Sequence, residues 1–95
     1  MIRSFRDRTT ALVFEGRCPK GFPSQIFAAA RRKLEAIAAA ERLDDLARPP
    51  GNRLEALAHD RAGQHSIRIN DQFRICFIWT DAGVEDVEIV DYHRG

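Results

Sequence analysis

Hydrophobic positions change their period part-way along the chain. From Ser24 to about Ala40, Ile26, Ala30, Leu34 and Ile37 recur at helical spacing with Phe27 beside them, while Arg31, Arg32, Lys33 and Glu35 fall largely elsewhere. The spacing predicts a helix with Ser24 as its N-cap after Pro23. At about 1.5 Å per residue it would be roughly 25 Å long, enough to cover one face of a small sheet. Ahead of it, Ile2 to Phe5 reads as a short strand. Thr9 or Thr10 would cap a brief helix through Leu12, Val13 and Phe14, stopped at Gly16, with Arg17 to Pro23 as a loop. Glu41 to Ala47 adds one or two helical turns, ended by Pro49-Pro50-Gly51-Asn52. From Arg53 onward the period is two. Arg53–Leu57, Gln64–Ile69, Phe73–Thr80 and Val84–Val90 read as strands, parted by turn residues at Asp60–Gly63, Asn70–Gln72 and Asp81–Gly83. Helices first and a meander after is the α+β order. The expected architecture is one domain over residues 1–95, a twisted antiparallel β-sheet edged by the N-terminal strand, with the N-terminal helices packed on one face.

Register around Asn70 can be argued further. A two-residue turn at Asn70-Asp71 would pair Ile69 with Gln72 and Ile67 with Arg74, setting a hydrophobe against a polar group twice. A three-residue loop, Asn70-Asp71-Gln72, pairs Ile69 with Phe73 and Ile67 with Ile75, and one face becomes apolar. That choice places Arg68 opposite Arg74 on the other face, a repulsion of about 0.2–1 kcal/mol. Either nearby acids such as Glu55 or Asp91 offset it, or the two guanidinium groups hold an anion in a double fork suited to phosphate. On the last strand, strict alternation would send Asp91 and His93 to the Val87 side and Tyr92 to the Glu88 side. Val90 interrupts that alternation, which leaves their sides open.

Composition narrows the function classes. Ninety-five residues suffice for a single core. No stretch approaches the roughly 18 apolar residues of a membrane span, and Met1 to Arg6 leads into charge rather than a signal-peptide core, so a cytoplasmic protein is expected. Cys18 and Cys76 belong to no C-x-x-C pair and read as free thiols, Cys76 as a small core residue. His59, His65 and His93 match no usual ligand spacing, so neither metal nor cofactor is expected. The net charge of +1 hides an asymmetry: residues 1–50 hold ten Lys/Arg against six Asp/Glu, and residues 51–95 five against eight. Any polyanion contact must therefore rest on a local cluster rather than on bulk charge.

The chain closes on Asp91-Tyr92-His93-Arg94, an acid, a phenol, an imidazole and a cation within four positions. Together with Met1-Ile2-Arg3-Ser4-Phe5, the run Pro50-Gly51-Asn52-Arg53-Leu54-Glu55-Ala56-Leu57, the segment from Gly63 to Phe77, and Val87-Glu88-Ile89-Val90-Asp91-Tyr92-His93, it resembles the HigB toxins of the RelE/ParE superfamily. The resemblance covers nearly the whole chain; its specific parts are the hairpin and the terminal Asp-Tyr-His. It implies a small RelE-like fold and a type II toxin–antitoxin toxin that cuts messenger RNA on the ribosome. The partner it implies is a HigA-like helix-turn-helix antitoxin, with operator DNA reached only through that complex. The implied reaction is metal-independent attack of a ribose 2′-hydroxyl on the adjacent phosphate. Glu55, Arg74, Asp91, Tyr92 and His93 would be catalytic, and Arg68, Arg53, His59 and Arg61 would contact RNA or phosphate.

One departure bears on activity. Some HigB proteins carry His-Pro-Leu-Lys where this chain has Glu55-Ala56-Leu57-Ala58. A cation is lost at Ala58, His59 partly replaces it, and the base position becomes a carboxylate, as in a related RelE-type toxin. Weaker nuclease activity is expected. Two other readings share the fold: a ParE-like toxin that poisons gyrase, against which the terminal acid/base cluster argues, and a catalytically weak toxin acting mainly as antitoxin-bound co-repressor.

Overall fold

The computed structural model describes residues 1–92; His93, Arg94 and Gly95 lie outside them. Helices α1 (Arg8–Phe14) and α2 (Ser24–Ala39) are followed by strands β1 (Glu55–Ala56), β2 (His65–Arg68), β3 (Phe73–Thr80) and β4 (Gly83–Asp91). The strands form one antiparallel sheet in the order β1-β2-β3-β4, so the α+β architecture is as the residue pattern predicts.

The apolar stripe of α2 does what its spacing requires. Ile26, Ala30, Leu34 and Ile37 are buried, and Leu34 and Ile37 join Val13, Leu46, Ile67, Ile75, Phe77, Val84 and Val87 in one core. Helix starts differ from expectation at both helices. Asp7, not a threonine, caps α1, its Oδ1 accepting from Thr10 N at 2.7 Å. The buried Thr10 hydroxyl instead accepts from Ile89 N at 3.0 Å and ties α1 to β4. For α2 the capping position falls on Pro23, whose ring fixes φ at −61° and whose carbonyl accepts the first helical bond from Ile26. Ser24 is thereby the first helical residue. The turns after α2 are 3₁₀, at Leu43–Leu46 and Pro50–Asn52, rather than α-helical. Asp45 Oδ2 accepts from the backbone N–H groups of Glu41 and Arg42 at 3.0 Å each, and those bonds lower its carboxyl pKa.

In the hairpin, Ile67 pairs with Ile75 and Arg68 with Arg74, while Ile69 N donates to Phe73 O at 2.9 Å. Asn70 explains the three-residue loop: its Oδ1 accepts from the backbone of both Gln72 and Phe73. Ile67 and Ile75 are fully buried, as that register demands.

Two strand expectations give way. The strand expected over Arg53–Leu57 contracts to Glu55–Ala56, because Arg53 adopts φ 45° and ψ 59° in leaving the preceding 3₁₀ turn. Ile2–Phe5 is no regular strand; it meets β4 at two isolated parallel bridges, Ile2 to Val84 and Phe5 to Val87. A bulge in β4 causes this. Asp86 takes φ 53°, its N–H donates to Ser4 Oγ at 2.9 Å, and the extra residue lets Val84 and Val87, three apart, both face the core. Cys76 is fully buried, as its reading as a small core residue requires, on the sheet face away from the helices. It alternates to the outer face, alongside Arg74.

Candidate active-site cleft

The outer face of the sheet carries the chemistry. Period-two alternation in β3 turns Ile75 and Phe77 to the helices and Arg74 and Cys76 outward. Arg74 is only 9% exposed, a burial that a guanidinium tolerates when it is paired and hydrogen-bonded. Its Nε donates to Ser66 Oγ at 2.8 Å, and its Nη2 donates to Arg53 O at 2.6 Å and to Ser66 O at 3.3 Å. The left-handed turn at Arg53 presents that carbonyl. Glu55 Oε1 stands 3.8 Å from Arg74 Nη2. Arg68 is paired with Asp71 in the hairpin loop. Each guanidinium of the cross-strand pair thus has its own carboxylate, Glu55 for one and Asp71 for the other. Of the two ways of offsetting the repulsion, acids do it here, although Asp71 rather than Asp91 is the second. Arg53, Glu55, Arg68, Asn70, Asp71, Arg74 and Tyr92 together line an open cleft of about 210 Å³.

Alternation also settles the end of β4. Asp91 pairs with Phe73 and lies with Phe73 and Ile89 on the other side, beside Thr9 and the Lys20–Pro23 loop. Tyr92 returns to the cleft. Its position is pinned by the hairpin loop, since Tyr92 N donates to Gln72 O at 2.6 Å while Gln72 Nε2 donates to Asp91 Oδ2 at 3.1 Å. The Tyr92 hydroxyl sits 3.9 Å from Cys76 Sγ. Burial, together with the thiol beside it, raises the phenol pKa above its ordinary value. Burial likewise raises that of the Cys76 thiol, against the opposing pull of the Tyr92 contact and Arg61.

Five of the nine residues singled out in the sequence therefore share one cleft: Arg53, Glu55, Arg68, Arg74 and Tyr92. Arg61 stands nearby but is engaged in structure, its Nη1 donating to Gln64 Oε1 at 3.1 Å and Glu88 Oε1 at 3.2 Å. His59, in a left-handed conformation at φ 58°, is not among the lining residues, and Asp91 is on the opposite side. His93 lies outside the described residues. Ser66 and Asp71 were missed. Ser66 was legible in principle, because the hairpin register puts it on the Arg74 face one step away. Asp71 was read only as a turn residue.

Comparison with known proteins adds a second line. A family model described as the RelE-like toxin of the type II toxin–antitoxin system HigB matches residues 3–93. The chain is 39% identical over 95 residues to Toxin HigB-1 of Vibrio cholerae, covering 99% of each. It is 31% identical over 93 residues to Endoribonuclease HigB of Proteus vulgaris, covering 98% of this chain and all of that one. Among solved structures, the YoeB–YefM complex from Staphylococcus aureus contains a chain with a TM-score of 0.58 at 14% identity, covering 99% of both. That last likeness speaks to the fold alone.

Proposed function

Since the chain belongs to the HigB-like family, the RelE-like toxins of type II toxin–antitoxin systems, we propose that it is a messenger-RNA endoribonuclease acting on the ribosome. The observation that carries this reading is Arg74: a nearly buried guanidinium, fixed by three hydrogen bonds at the cleft, with a carboxylate at 3.8 Å. A cation locked before substrate arrives suits the charge that gathers on phosphorus, because no reorganisation is needed during reaction.

The ribose 2′-oxygen attacks the adjacent phosphorus, and the bond to the 5′-oxygen breaks. The products are a 2′,3′-cyclic phosphate and a 5′-hydroxyl. Glu55 takes the 2′-hydroxyl proton, His93 supplies one to the leaving 5′-oxygen, and Arg74 with Arg68 stabilises the phosphorane-like state. Tyr92, neutral and at the rim, offers its ring to a base. Arg53 adds a phosphate contact. Asp91 acts through Gln72 to hold the end of β4 rather than touching RNA. His59 and Arg61 would add outer contacts to the RNA strand rather than line the cleft. The partner is a HigA-like helix-turn-helix antitoxin, and the complex with it is the route to operator DNA. Ribosomes as the site of action place the protein in the cytoplasm; no described helix is long and apolar enough to cross a membrane.

The test is induction of Arg74→Ala and His93→Ala. Both should lose growth arrest by at least about 10²-fold in toxin dose while remaining folded. Arrest that persists in both sinks the assignment. One observation favours a second reading, a weak toxin serving mainly as co-repressor: Glu55 and Asp71 already partner the two cleft arginines. Harmless expression of the wild-type chain without antitoxin would select it.

A further inference from the structure

Lys33 belongs to none of the groups assigned above. It lies on the polar side of α2, next to the fully buried Leu34, so the backbone behind it is fixed to the core. Its Nζ donates to Asn52 Oδ1. Asn52 is itself buried, 2% exposed, and is held at two further points: its Nδ2 donates to Leu46 O and its N to Pro49 O, each at 3.0 Å. These partners distinguish the two ends of the amide. Turned over, it would set its own NH2 against the ammonium and its oxygen against a carbonyl. Among the described residues, no carboxylate pairs with Lys33. The ammonium orients an amide instead of neutralising a charge.

The orientation matters at the next residue. Arg53 sits at φ 45° and ψ 59°, a left-handed conformation that is costly for a residue with a Cβ and persists only where its surroundings impose it. Its carbonyl accepts from Arg74 Nη2 at 2.6 Å. Relaxing Arg53 to an ordinary backbone conformation would swing that carbonyl off the guanidinium. Asn52, the last residue of the 3₁₀ turn, anchors the backbone just ahead of it. We propose that Lys33, acting through Asn52, is a positioning residue for Arg74. It keeps Arg53 in its left-handed turn and thereby sets the angle of the cleft guanidinium. The route runs from the helix layer to the opposite face of the sheet, where Arg74 points. This rests on the nuclease reading for what Arg74 does to a phosphate, but not for the chain of contacts that holds it.

Nuclear magnetic resonance of the arginine side chains reads these contacts without substrate. The signals of Arg74, assigned by their absence in Arg74→Lys, report how fast its Nη groups exchange by rotation about the Cζ–Nε bond. That rotation should be slow in the wild type, because the bonds from Nη2 to Arg53 O and Ser66 O must both break. Lys33→Met removes the ammonium, keeps an apolar stem, and should speed the rotation about tenfold. Single-turnover cleavage of message on ribosomes should fall about tenfold at saturating protein, with the half-saturating concentration changed by less than about twofold. Lys33→Arg, which keeps a cationic donor, should restore both. Asn52→Ala should release Arg74 to the same extent, and adding Lys33→Met to it should change nothing more, as for two residues on one path. A purely structural role would move stability alone. A Lys33→Met variant that is less stable in urea but leaves Arg74 rotation unchanged therefore overturns the proposal. So does a released Arg74 with cleavage undiminished. If the wild type leaves translated messages whole while Lys33→Met still frees Arg74, the nuclease reading falls and the positioning contact stands.

Discussion

Arg74 shows how much of a site lies in the residues behind it. Its guanidinium would be a mobile surface cation without Ser66, which supplies two of its three acceptors, Oγ and the backbone oxygen. Ser66→Ala removes the hydroxyl only, leaving Arg74 in place but free to turn about its long axis. Hydrogen bonds to charged groups contribute about 1.5–3 kcal/mol. The expected result is therefore a fall in cleavage rate of roughly tenfold or more, with message binding little changed, read by primer extension on translated RNA. Tyr92 gives a second residue-scale test, made simple by its being the sole tyrosine of the chain. Burial beside Cys76 raises its pKa, so ultraviolet absorbance should report ionisation above the ordinary phenol value of about 10. The sign follows for stability. A folded pKa above the unfolded one leaves the contribution intact below about pH 10 and loses it as pH rises through the folded value. Cys76→Ala should bring the Tyr92 titration back toward the ordinary value; a titration unmoved by that change would mean the thiol does not hold the phenol.

At the scale of elements, sequence pattern was most informative where one face had to be buried. The hairpin register followed from keeping Ile67 and Ile75 on one side, and the structure pairs those two residues and leaves both fully buried. The stripe on α2 was legible for the same reason. Elements held together by single polar groups were not legible. Nothing in the alternation of Val84–Val90 signals that Asp86 breaks it, since an aspartate reads equally well as an outward strand residue. Only the distant Ser4 hydroxyl and the two valine partners of residues 1–6 make the bulge the better choice. Likewise β1 is short because Arg53 turns left-handed to place its carbonyl on Arg74, a long-range demand absent from any local window. The bulge makes a prediction of its own. Asp86→Gly should change stability by less than about 1 kcal/mol, whereas Asp86→Val, forced to keep φ 53°, should lose about 1–2 kcal/mol in urea denaturation. Equal stabilities for the two variants would show that the strand slips back into regular alternation and that Ser4 does not anchor it.

For the molecule as a whole, the distribution of charge decides what kind of nuclease this can be. A net charge of +1 gives little general attraction for RNA, and the positive excess lies in the half of the chain that carries α2. Within the cleft, two of the cations are already neutralised by Glu55 and Asp71. If the cleft is the catalytic site proposed above, free RNA meets an arrangement that is preorganised for reaction but poor at capture, because phosphate neutralisation supplies most non-specific affinity. Something else must hold the message against it. On the proposed reading a ribosome would do so, by presenting a single strand at high local concentration and in a fixed conformation, which would convert capture into positioning. The expectation is a large contrast: wild-type protein should cut translated messages and leave the same RNA nearly intact when naked, by a factor of about 10³ or more at physiological salt. Lowering the salt should raise cleavage of naked RNA only modestly, since few phosphates are contacted. Gyrase supercoiling should proceed normally under the same induction. If naked RNA were cut as fast as translated RNA, Arg74 and its neighbours would have to capture the strand unaided, and the low charge of this cleft would be the wrong explanation for its specificity.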